Sequence, residues 1–85
     1  MKEVITMNTL TDIAEFCHRA LNVEGGVTVS RGKFAVDGAS YLGVISINPV
    51  EPVTVSWEDS EANLAFTQLV SALKQGTWKI KKFLL

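Results

Sequence analysis

Apolar and polar residues alternate along this 85-residue chain with two different periods. Val27-Thr28-Val29-Ser30 and Val53-Thr54-Val55-Ser56-Trp57 alternate every second residue, as half-buried strands do. Leu10, Ile13, Ala14, Cys17, Ala20 and Leu21 instead recur every three or four residues, which predicts an amphipathic helix. Ala62, Ala65, Phe66, Leu69, Val70 and Leu73 predict a second helix of the same kind. Glu3 to Met7 reads as a short strand of ambiguous facing, because Val4, Ile5 and Met7 do not alternate cleanly.

Turn chemistry joins these segments. Asn8 and Thr9 supply N-cap oxygens for the first helix, and Asp12 places a carboxylate in its first turn, at the positive end of the helix dipole. Gly25-Gly26 ends that helix and turns the chain. Arg31-Gly32 forms a tight hairpin turn, from which Lys33-Phe34-Ala35-Val36 returns as a strand. Asp37-Gly38 breaks the strand, and a short helix begins at Ser40 and stops at Asn48-Pro49. Pro52 opens the next strand, Asp59 or Ser60 caps the last helix, and Gly76 ends it. The predicted order is βαββαβα. Short connections favour an α+β, two-layer sandwich: a four-stranded antiparallel sheet covered on one face by three helices. Val29, Val36, Val55, Phe66 and Leu69 are the expected core.

Composition narrows the class of protein. A chain of this length makes one domain with a modest core. With 47% apolar and 20% charged residues it is a folded globule, and a net charge of −1 disfavours a nucleic-acid partner. Cys17 is the single cysteine, which excludes an intrachain disulfide and suggests a reducing, cytoplasmic location. No signal peptide or membrane-spanning run is expected. No phosphate-binding glycine loop, metal-ligand cluster or His–carboxylate pair occurs, so neither a metal, a cofactor nor an enzymatic activity is expected.

Three local motifs resemble the HPr family, the small phosphocarriers of the bacterial sugar phosphotransferase system. Arg31-Gly32-Lys33 resembles the family's Asn-Gly-Lys turn. Ser40-Tyr41-Leu42-Gly43-Val44-Ile45-Ser46-Ile47 resembles its short second helix. Val53-Thr54-Val55-Ser56, followed by an acidic cap, resembles its last strand entering the last helix. The resemblance runs from Lys2 to about Gln75, which divides the chain into an HPr-like domain, residues 1–76, and an extension, 77–85. It implies the βαββαβα sandwich, and as partners the enzymes or regulators of sugar transport.

The resemblance also implies a site that this chain lacks. Members carry Gly-φ-His-x-Arg-Pro-Ala at the start of the first helix, φ being apolar. The imidazole takes the phosphoryl group, helix N–H groups receive it, and the arginine neutralises it. Here Thr9 falls at the histidine, Thr11 at the arginine and Asp12 at the proline, and the preceding loop is shorter by about three residues. A carboxylate there repels a phosphoryl group, so carrier activity is not expected. His18, the single histidine, lies well inside the helix, where free N–H groups are lacking. It reads as a boundary residue, and Cys17 as a small buried hydrophobe.

In the family the second helix docks onto enzymes and regulators, and Tyr41, Leu42 and Ile45 match the positions of that patch. Leu42, Val44 and Ile47 can equally fill the core, and some of them must. Ser40 matches a regulatory phosphorylation site and is also a plain N-cap; the two roles are compatible. The tail Thr77-Trp78-Lys79-Ile80-Lys81-Lys82-Phe83-Leu84-Leu85 suits an added strand, a dimer contact or a weak membrane-surface anchor, an added edge strand or packed tail being favoured. The functional expectation is an HPr-like protein-interaction or regulatory module without carrier activity. The alternatives are an atypical working phosphocarrier and a purely structural or oligomerisation module.

Overall fold

The computed structural model describes residues 1–75. The expectations for Gly76 and for the 77–85 extension lie outside the described residues. The elements are β1 (Lys2–Ile5), α1 (Leu10–Ala20), β2 (Val27–Arg31), β3 (Phe34–Asp37), α2 (Tyr41–Ser46), β4 (Val53–Trp57) and α3 (Leu64–Gln75), with a 3-10 turn at Glu61–Asn63 before α3. The order is the predicted βαββαβα. The four strands form one antiparallel sheet in the order β1-β4-β2-β3.

Register assigns each residue to a face, because residues opposite one another point the same way. Glu3, Val55, Val29 and Val36 form one row across the sheet, flanked by the pairs Ile5–Val53 and Trp57–Val27. This face is covered by the helices, and Val27, Val29, Val53, Val55 and Trp57 are buried on it. Val36 packs against the core only half-buried, because β3 is an edge strand. The other face carries two rows, Val4–Thr54–Ser30–Ala35 and Lys2–Ser56–Thr28–Asp37. The ambiguity of β1 has a simple cause: one of its two open-face residues is the apolar Val4, 54% exposed, while Met7 is buried beyond the end of the strand.

α1 buries a narrower stripe than its sequence pattern predicts. Ile13, Phe16, Cys17 and Ala20 face the core, whereas Leu10, Ala14 and Leu21 are exposed. At about 100° per residue those three fall together on one flank of the stripe. The helix also stops at Ala20, five residues before Gly25, and the glycines with φ +86° and +80° belong to the following turn. In α3 the buried set is Phe66, Leu69, Val70 and Ala72, with Leu73 partly buried and Ala65 exposed, as is Ala62 in the 3-10 turn. Ser60 stands before the 3-10 turn without making a side-chain capping bond. Phe66 joins the layers: its ring lies edge-on to Trp57, at 5.4 Å, and tilted against Phe16, at 5.5 Å.

Asn63 ties the loops at the far end of the sandwich. Its Oδ1 accepts from Glu24 N–H (2.8 Å), and its Nδ2 donates to the carbonyls of Glu24 and Glu58 (3.0 Å each). At 2% exposure this polar side chain is satisfied entirely by backbone.

Candidate protein-binding face

The first turn of α1 and the short helix α2 are brought together by backbone. Met7 N–H donates to the carbonyl of Pro49 at 2.8 Å, which pins the segment entering α1 to the loop leaving α2. Arg31 donates to the carbonyl of Asn48 at 3.0 Å and ties the β2–β3 hairpin to that same loop. Asn48 takes φ +54°, a conformation that asparagine tolerates, and reverses the chain there.

Thr9 is the N-cap of α1: its backbone is extended (φ −130°, ψ 154°), and its Oγ1 accepts from Asp12 N–H at 3.1 Å. Asp12 is 7% exposed, while Thr11 is exposed. A hydroxyl therefore already occupies one of the free N–H groups that an anion would use. His18 is exposed in the last turn of α1, beside Arg19, whose guanidinium pairs with Glu15 at 3.4 Å. Cys17 is buried, and burial, reinforced by the Asp37 carboxylate, pushes its thiol up to about 11. It stays a neutral thiol at physiological pH.

α2 repeats the same start. Ser40 is exposed, and its Oγ accepts from Gly43 N–H at 3.1 Å. Asp37 accepts from Ala39 N–H at 2.9 Å and fixes the turn before it. A Cβ on Gly43 would lie 3.0 Å from Ser40 Oγ and 3.2 Å from Ser40 Cβ, so any side chain there presses on the capping serine. Val44 and Ile47 face the core, and Ile45 is half-buried at its margin. Leu42, 78% exposed, and Tyr41, 37% exposed, point outward. Leu42 is thus not one of the residues that fill the core. The outward apolar groups of α2 come from adjacent positions, with Ile45 contributing a partial surface.

Leu10 adds to this description in a way the periodicity obscures. It counts in the apolar stripe of α1 but is 63% exposed in the first turn, next to Thr9. Its position in the first turn is the signal that could have separated it from the core set. Among the described residues no three His, Cys, Asp or Glu side chains are placed to hold a metal ion, and no helix is long and apolar enough to cross a membrane.

No family model matches the sequence, and no curated protein sequence matches it either. The fold, in contrast, matches solved structures. HPr-C-His from Thermoanaerobacter tengcongensis superposes with a TM-score of 0.72 at 19% identity, over 93% of this chain and 96% of that one. The phosphocarrier protein HPr from Bacillus anthracis str. Ames superposes with a TM-score of 0.65 at 16% identity, over 86% of this chain and 95% of that one. The chain therefore has the HPr fold, a small α+β sandwich.

Proposed function

We propose that this protein is an HPr-like interaction or regulatory module linked to the sugar phosphotransferase system, working in the cytoplasm without carrying a phosphoryl group. The observation that carries this reading is the chemistry at the start of α1. Thr9 caps the helix where a carrier histidine would stand, Thr11 offers no cation, and Asp12 adds a carboxylate to the same turn. A phosphoryl group there would meet no nucleophilic nitrogen and no guanidinium. His18 is exposed but sits in the last turn, at the negative end of the helix dipole.

The binding role rests on α2 with its exposed Leu42 and Tyr41 and its half-buried Ile45. Ser40 stands at the edge of that face. A phosphate on its hydroxyl would add up to about two negative charges beside an apolar contact and weaken docking. The proposed partners are phosphotransferase enzymes or their regulators.

The test uses purified Enzyme I with phosphoenolpyruvate and reads the intact mass of this protein under conditions that keep a phosphoamidate. No adduct is expected. A stoichiometric adduct on His18 would instead make the protein an unusual carrier. Titration of the isotopically labelled protein with Enzyme I or a regulator should move resonances of Tyr41, Leu42 and Ile45, and Leu42→Glu should abolish the effect. Shifts confined to other surfaces would remove α2 from the binding role.

A further inference from the structure

The open face of the sheet has a pattern that the functional reading leaves unused. Its first row is Val4–Thr54–Ser30–Ala35, and its second is Lys2–Ser56–Thr28–Asp37. Both rows run in the order β1-β4-β2-β3. Each has two small hydroxyl residues at its centre, on β4 and β2. The first row ends in an aliphatic residue on both sides, Val4 and Ala35. The second ends in a cation on one side and a carboxylate on the other. The four end residues are all exposed.

This pattern is self-complementary under one symmetry operation. Consider a two-fold axis parallel to the strands, midway between β4 and β2 and just above the face. It lays a second copy on the first, with β1 over β3 and β4 over β2, and each row falls on its own counterpart. Lys2 then lies over Asp37 of the second copy, and Asp37 over Lys2. Val4 meets Ala35, and the central hydroxyls meet one another. A two-fold axis across the strands would instead set charged ends against apolar ones. Sheets packed face to face keep their strands within about 30° and stand about 10 Å apart, a gap that the side chains of Lys2 and Asp37 span. Asp37 commits one carboxylate oxygen to Ala39 N–H and remains exposed.

We propose that the open face is a self-association surface that takes a second copy of this chain, with charge complementarity setting the pairing. The face is small. Four strands at about 4.8 Å spacing span roughly 15–20 Å. Each copy thus contributes well under the ~800 Å² of a standard stable interface. The dimer is therefore transient, weakened by salt, and isologous. It leaves α2 and its exposed Leu42 free on the opposite layer.

Sedimentation velocity and NMR rotational correlation time, from about 20 µM to about 1 mM at low salt, read the association. The wild type should shift from monomer to dimer across that range. Lys2→Glu sets like charges against each other and should weaken association at least about tenfold. Lys2→Glu combined with Asp37→Lys should restore it to within about threefold. Asp37 also fixes the turn before α2, so the double variant could unfold. Ser30→Arg gives an independent reading: it places a bulky charge at the centre of the face and should abolish the dimer while circular dichroism stays native. Three results would overturn the proposal. One is a wild type that remains monomeric at about 1 mM, another a dimer indifferent to Ser30→Arg and Lys2→Glu, and the third a dimer broken only by Leu42→Glu, which would place the contact on α2.

Discussion

Replacing Asn63 with alanine removes three hydrogen bonds at once, two of them to backbone carbonyls and one from a backbone N–H. Only one orientation of the amide fits, since Oδ1 must face the Glu24 N–H and Nδ2 the two carbonyls. A net contribution near 1 kcal/mol per bond gives roughly 3 kcal/mol. Glu24 and Glu58 are exposed residues, so water can reach part of what is left unpaired, and about 2–3 kcal/mol is the expected loss. For a domain of this size that lowers Tm by about 10–20 °C. Asn63→Asp has nearly the same shape but a different sign of interaction. It keeps the bond from Glu24 N–H and turns an anionic oxygen towards two carbonyls, so at neutral pH it should destabilise more than Asn63→Ala. Burial and the facing carbonyls raise the introduced carboxyl's folded pKa above its unfolded value of about 3.9. The folded state then binds more protons, so the variant's stability is greatest below about pH 4 and falls as pH rises through the raised pKa. Urea unfolding, followed by far-ultraviolet circular dichroism at several pH values, measures both effects. A loss below about 0.5 kcal/mol for Asn63→Ala, in the range of ordinary surface changes, would refute the tying role.

Gly38→Ala should destabilise by about 1–3 kcal/mol, because the added Cβ would lie 2.6 Å from Val27 Cγ1 and 2.9 Å from Val27 Cβ; chemical denaturation reads the change. Cys17 has its thiol raised from about 9 to about 11, so its stabilising contribution is complete below pH 9 and lost as pH rises towards 11; native-state alkylation should be slow at pH 8 and accelerate on unfolding, whereas equal rates in both states would contradict burial. Ser40→Ala should cost about 1 kcal/mol through the lost bond to Gly43 N–H, while Ser40→Asp keeps an acceptor and should leave Tm nearly unchanged; thermal unfolding of both variants checks this.

The elements that the sequence makes legible are those where one signal dominates. Val29 and Val55 sit in clean alternation between polar neighbours, and both are fully buried. The Arg31-Gly32 turn closes a hairpin in which Arg31 pairs with Phe34 and Gly32 takes φ +59°. Ser40 caps α2 as its position before an apolar run predicts. Legibility fails where geometry beyond the element decides. The periodicity of α1 admits Leu10 and Leu21 as readily as Phe16, which is fully buried, because hydrophobicity marks a stripe without giving its edges. Asn63 is polar and reads as surface, although it shares the helical phase of the buried residues Phe66 and Val70; its partners are 5 and 39 residues away. The candidate face divides in the same way. Ser40 and Thr9 are visible as caps, whereas the outward turn of Leu42 depends on how the six-residue α2 rests on Val44 and Ile47.

The two caps also bear on the proposal that this fold stands without a carrier site. A helix start needs an acceptor for its unpaired N–H groups, and a threonine hydroxyl meets that need as an intramolecular group. A phosphohistidine site asks something more of the same groups: they must be left for an incoming anion, with a nucleophile and a cation beside them. In this chain Thr9 Oγ1 takes the N–H of Asp12, and the first turn carries a carboxylate instead of a guanidinium. These residues therefore serve the stability of α1, and on the proposed reading they leave the helix start without what phosphoryl transfer requires. The exposed apolar residues of α2 belong to a different helix, held by its own cap on Ser40. On the proposed reading, docking on α2 does not depend on the groups at the start of α1 that carrier chemistry would need.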